Sequence, residues 1–130
     1  MISSITIDRD KIITHSQNMV LSYCHQQRLP VIPVRYEPII SPSKAIFVYP
    51  PPRIALWTGI SVYLKENFAP TNRVWALHSY LRHELVHYEQ YLRAIKEGGP
   101  ITKEIFNETG SEFAGKYRDY LVKVGAYRAP

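Results

Sequence analysis

The chain has 130 residues, 45% of them hydrophobic, and a formal net charge of +5 from 16 Lys and Arg against 11 Asp and Glu. That size is one domain with enough apolar material for a core without disulfides, and the basic residues are scattered without a run of five, which argues for a solvated basic surface rather than a nucleic-acid tract. A single cysteine, Cys24, excludes an intrachain disulfide and leans toward a reducing compartment. No apolar run is long enough to span a membrane, and Met1-Ile2-Ser3-Ser4-Ile5 lacks the basic and apolar regions of a secretion signal. A cytoplasmic location is the resulting expectation.

Residues 8–27 read as a first helix, capped by Thr6 or Asp8, with Ile12, Ile13, Val20 and Cys24 on one face. Cys24 is expected as a buried thiol. His15 and His25 are not spaced as a ligand pair, and each reads as a solvated or core-edge histidine. Leu29-Pro30 ends the segment. The period then changes. Val31 to Tyr36 reads as a strand that Pro33 pushes toward a sheet edge. Ala45 to Tyr49 is a second strand, and Pro50-Pro51-Pro52 a rigid turn after it. Arg53 to Trp57 is a third strand, followed by a Thr58-Gly59 turn. Ile60 to Lys65 alternates apolar and polar residues, the pattern of a fourth, half-buried strand.

A long helix is expected over residues 72–96, capped by Thr71 or Asn72, with Val74, Leu77, Leu81, Leu85, Tyr88, Leu92 and Ile95 at spacings of three and four. Gly98-Gly99-Pro100 stops it. A last helix over residues 102–124 carries Ile105, Phe106, Phe113, Tyr117, Tyr120, Leu121 and Val124 as its stripe. The expected fold is therefore α+β in a single domain over residues 1–130. Its parts are an N-terminal helix, a small, mostly antiparallel sheet of three or four strands, the long helix and a C-terminal helix.

The chemistry concentrates in His83-Glu84-Leu85-Val86-His87 of the long helix. One helical turn separates His83 from His87, so the two imidazoles point the same way and can close on one metal ion. Glu84 sits beside that ion, placed to take a proton from a water. The spacing is the HExxH arrangement of zinc metallopeptidases. Catalytic zinc takes a third protein ligand, and no histidine follows His87. His78 precedes His83 by five residues and points off the ligand face. The remaining donors are Glu104, Glu108 and Glu112. A helical hairpin pivoting near residue 98 or 99 brings residue 112 level with the middle of the motif, and Glu112 flanks the apolar stripe, with Glu108 roughly 40° further toward solvent. Glu112 is the favoured third ligand and Glu108 the alternative. Glu108 or Asp119 could then hold the outer nitrogen of a ligand histidine.

At these residues the chain resembles the gluzincins, zinc peptidases that combine HExxH with a downstream glutamate on a second helix. Residues 83–90, His-Glu-Leu-Val-His-Tyr-Glu-Gln, resemble the HELxHxxQ form of small bacterial, archaeal and phage members. Glu112-Phe113-Ala114-Gly115 is similar to the E-[FY]-x-[AG] segment of CAAX prenyl proteases and heat-shock membrane proteases, which carry an Asp next, where this chain has Lys116. Residues 107–112, Asn-Glu-Thr-Gly-Ser-Glu, resemble the NExxSD form of thermolysin, which keeps Glu108 in play. The order of elements is similar to a thermolysin-type N-terminal subdomain or to a minigluzincin.

The resemblance implies a zincin-like fold and a metalloendopeptidase, with zinc on His83, His87 and Glu112 and with Glu84 as general base. It also implies a peptide or protein substrate paired with an edge strand, at Ile60 to Leu64 or at Ala45 to Tyr49. Tyr117, Tyr120 or Arg118 is placed to stabilise the oxyanion. So short a chain leaves little room for the far wall of a cleft, so a protein partner or homodimer could help select substrate. Two other readings compete: a non-catalytic protein that zinc stabilises, which would have no need of Glu84, and a nucleic-acid-binding protein, which lacks stacking aromatics set in a basic patch.

Overall fold

A computed structural model of the chain describes residues 9–38, 43–102 and 105–106. Its elements run α1 (Arg9–Gln27), β1 (Val34–Tyr36), β2 (Ala45–Val48), β3 (Arg53–Leu56), α2 (Ile60–Asn67) and α3 (Pro70–Lys96). The class is α+β. The chain divides into two units, residues 1–81 and 82–130, with α3 running through the division.

In the first unit, α1 buries Ile12, Ser16, Met19, Val20, Tyr23 and Cys24, steps of three and four that form one face. Cys24 is buried and in no disulfide, as expected. The helix ends where Arg28 turns left-handed at φ 58°. There Leu29 N donates to Cys24 O at 2.8 Å and Arg28 N to His25 O at 3.3 Å. This paired closure usually takes glycine at the left-handed position, because a Cβ there crowds the following carbonyl.

The three strands form one sheet in the order β1-β3-β2. It is mixed rather than mostly antiparallel: β1 pairs parallel with β3, Val34 opposite Ile54, and β2 pairs antiparallel with β3, Ala45 opposite Leu56. The reason lies in the order. The chain reverses between β1 and β2 and again, at residues 49–52, between β2 and β3, so β1 and the strand two places later run the same way. Ile54, Ala55 and Leu56 of the central strand are all buried, the pattern of a strand covered on both faces. Pro33 lies just before β1 on a sheet edge, as its missing N–H requires, and its carbonyl accepts from Ile54 N at 3.0 Å.

The outer edge of β1 is closed by a side chain. Gln17 of α1 donates from Nε2 to Ile32 O at 3.1 Å and accepts from Val34 N at 2.8 Å through Oε1. Its amide thus stands in for the peptide group of a further strand and satisfies an edge that would otherwise invite pairing. Tyr36 adds a second tie, its hydroxyl donating to Arg9 O at 2.8 Å while the Arg9 guanidinium lies 4.5 Å from the centre of its ring.

The expected fourth strand is the helix α2. Alternation and helical period both fit six residues, and burial separates them: Ile60, Ser61 and Leu64 are inside, whereas Val62, which a strand would bury beside Ile60 and Leu64, is 55% exposed. Gly59 permits the entry, since a Cβ there would stand 2.6 Å from the Trp57 ring. Of the two strands expected to receive a substrate, only β2 is a strand, and it lies at a sheet edge.

The long helix begins at Pro70, two residues before the expected start. Proline at the first helical position gives up an N–H that has no helical partner there. The buried Arg73 ties the end of α2 to this start, its Nε donating to Phe68 O and its Nη2 to Lys65 O, both at 3.1 Å. At the far end Gly98 turns left-handed at φ 71°. Gly99 N donates to Ala94 O at 3.2 Å and Gly98 N to Ile95 O at 3.1 Å, the same closure as α1 with the residue it favours. Leu77, Leu81, Leu85 and Tyr88 are buried as expected, whereas Ile95 is exposed near the helix end. Among the described residues no helix is long and apolar enough to cross a membrane. Of the expected last helix, Thr102 is not helical, Ile105 and Phe106 are, and the rest lies outside the described residues.

Two outcomes test this account. Gln17→Leu removes both edge hydrogen bonds and should lower stability by roughly 1–3 kcal/mol, measured as a fall in the urea midpoint. Arg28→Gly relieves the left-handed strain and should raise stability by about 0.5–1 kcal/mol, read in the same titration.

Candidate metal centre

The second unit opens on the motif. Because α3 is continuous from Pro70 to Lys96, the spacing of its histidines becomes geometry without further assumption. Leu85, Val86 and Tyr88 are buried, Glu84 and His87 are half-buried, and His83 is exposed. The potential ligand atoms of His83, Glu84 and His87 all lie within 4.8 Å of one another, the one such group of three among the described residues. The two imidazoles meet edge to face, their centroids 4.9 Å apart and their planes at 90°. Two nitrogens on one tetrahedral zinc stand about 3.3 Å apart, from bonds of about 2.0–2.1 Å. Side-chain rotation about an unchanged helix can supply that difference, so the residues fit a zinc ion.

The hydrogen bond of His87 and the electrostatics of His83 both suit a cation. His87 donates from Nδ1 to Gln90 Oε1 at 2.9 Å, and Gln90 is buried at 3% exposure. That bond puts the ring proton on Nδ1 and leaves the Nε2 lone pair for a metal. Partial desolvation of the ring in this otherwise exposed residue, followed by the neighbouring His87, pushes the His83 pKa below its ordinary value and favours the neutral ring that a metal requires. Phe106 packs edge-on against His87, centroid to centroid 5.7 Å.

The structure thus brings together His83, Glu84 and His87, the three residues the motif singled out. His78 is not a member of that group, and it takes part in a contact with His15. Glu112 and Glu108, the expected third ligands, lie outside the described residues, as do Glu104, Asp119 and the oxyanion candidates Tyr117, Arg118 and Tyr120. Gln90 is the residue whose role the sequence reading missed. Its signal was available: three residues after His87 on a helix is the neighbouring position on the same face. A carboxylate is the more familiar holder of a ligand imidazole, and that expectation pointed to the C-terminal segment instead.

No family model matches the chain, and comparisons with curated proteins and with solved structures find no match either.

The role of Gln90 can be measured. Gln90→Leu keeps the volume near constant and frees the His87 ring and its tautomer. Zinc affinity should fall about 10–100-fold, read by competition with a chromophoric chelator, while the circular dichroism of the helix is retained.

Proposed function

We propose that the chain is a zinc-dependent metalloendopeptidase in which His83 and His87 hold the metal and Glu84 is the general base. The observation that carries this reading is the convergence of His83, Glu84 and His87 on one side of a continuous helix, with the His87 tautomer set by Gln90. A zinc ion bound here with an open position would polarise the scissile carbonyl and acidify a water. Glu84 would take the proton of the attacking water and return it to the leaving amine. A site that uses zinc only for stability has no need of a carboxylate at that place, which weighs against the non-catalytic reading.

The third ligand is proposed from Glu112 and Glu108. Glu112 is the favoured donor and Glu108 the alternative. Peptides or proteins are the proposed substrates.

The test is zinc content, by elemental analysis, together with cleavage of a peptide library by wild type, His83→Ala, Glu84→Gln, Glu108→Ala and Glu112→Ala. One zinc per chain should depend on His83, and should be lost in one glutamate variant. Glu84→Gln should keep that zinc and lose on the order of 10²–10⁴ in turnover. Zinc bound without any cleavage by wild type would select the non-catalytic reading. Absence of a His83-dependent zinc would overturn the metal site itself.

A further inference from the structure

The other histidine pair lies in the first unit and has a different origin. His15 of α1 and His78 of α3 are 63 residues apart in the chain, yet their Nε2 atoms stand 2.8 Å from each other in a part-buried contact. The ring planes differ by 26° and the centroids are 5.0 Å apart. Since the Nε2–Nε2 distance accounts for most of that span, the rings meet tip to tip rather than face to face. Each nitrogen therefore directs its ring-plane orbital at the other. One group at a time can occupy the space between them, and in the hydrogen-bonded pair that group is a single proton.

We propose that His15 and His78 form a second metal site, a two-histidine clip between α1 and α3 that takes an imidazole-seeking divalent transition ion such as zinc or copper(II). Two nitrogens on one tetrahedral ion stand about 3.3 Å apart, so the pair needs to widen by only about half an ångström. The ring torsion that aims the lone pairs at the ion is a soft one. The proton balance is simple. The Nε2–H of the donor ring moves to Nδ1 through solvent, both rings remain neutral, and no net proton is released. Burial already pushes the His15 pKa down, which keeps its ring neutral at pH 7.

Coordination beyond the two imidazoles falls to water, and Met19, one turn beyond His15 on α1 and buried, adds a thioether to that side of the helix. Charge does not assist. Lys11 lies one turn before His15 and Arg82 one turn after His78 along their helices. The clip therefore selects by the affinity of imidazole for borderline metals rather than by charge, and calcium and magnesium, which prefer oxygen donors, should not compete. The inference does not depend on the peptidase reading, because it uses none of the same residues.

The test uses the full chain with the first site removed, His83→Ala/His87→Ala. Titrated with zinc and separately with copper(II), this variant should still bind one ion per chain and melt at a higher temperature with the metal present. Adding His15→Gln or His78→Gln, which leaves an amide able to keep a hydrogen bond between the helices, should abolish both the bound ion and the rise in melting temperature. Magnesium at the same concentration should do neither. No ion bound by the double variant, or one bound equally well after His78→Gln, would overturn the clip and leave the pair as a hydrogen bond between two helices.

Discussion

The structure depends on the unbroken period of α3. One helix from Pro70 to Lys96 carries Leu77, Leu81, Leu85 and Tyr88 as a buried stripe. At about 100° per residue, His83 and His87 must then project together on a different side. A break between residues 77 and 88 would cost the stripe and the histidine pair at once. Both ends of the helix are secured accordingly. Pro70 and the two hydrogen bonds from Arg73 fix the start, and the left-handed Gly98 closes the finish.

The sheet meets a different constraint. Three short strands make little surface, and their edges are the weak points. Gln17 answers this at β1 with a single amide that both donates and accepts, which a carboxylate or a hydroxyl on that side chain could not do with the same geometry. Among the described residues no strand lies beyond the outer edge of β2.

Histidine is used in two physically distinct ways. In the motif the rings are placed by one helical turn, with Gln90 fixing the tautomer of His87 and partial desolvation lowering the His83 pKa. Between α1 and α3 the rings are placed by packing, and each is the other's partner. The first arrangement tolerates movement of the rest of the fold, because a helix carries its own geometry. The second tests the packing of the first unit directly, because a shift of either helix by an ångström would break it.

The sequence by itself determined what local periodicity encodes. α1 and α3, the Gly98 stop of α3, the three strands, the turn at the prolines and the joining of His83, Glu84 and His87 all follow from residues within a few positions of one another. The tertiary structure decided the rest. Ile60 to Lys65 fits two periods over six residues, and only the exposure of Val62 shows that the helix is the one adopted. The mixed sheet follows from β1 choosing β3 as its neighbour, a choice between strands whose side chains look alike along the chain. Gln17, Gln90 and the His15–His78 contact were likewise not anticipated. Gln17 and the histidine pair rest on which surfaces meet when helices and sheet pack, and distance along the chain carries no record of that. Gln90 was within local reach, and the preference for a carboxylate partner hid it.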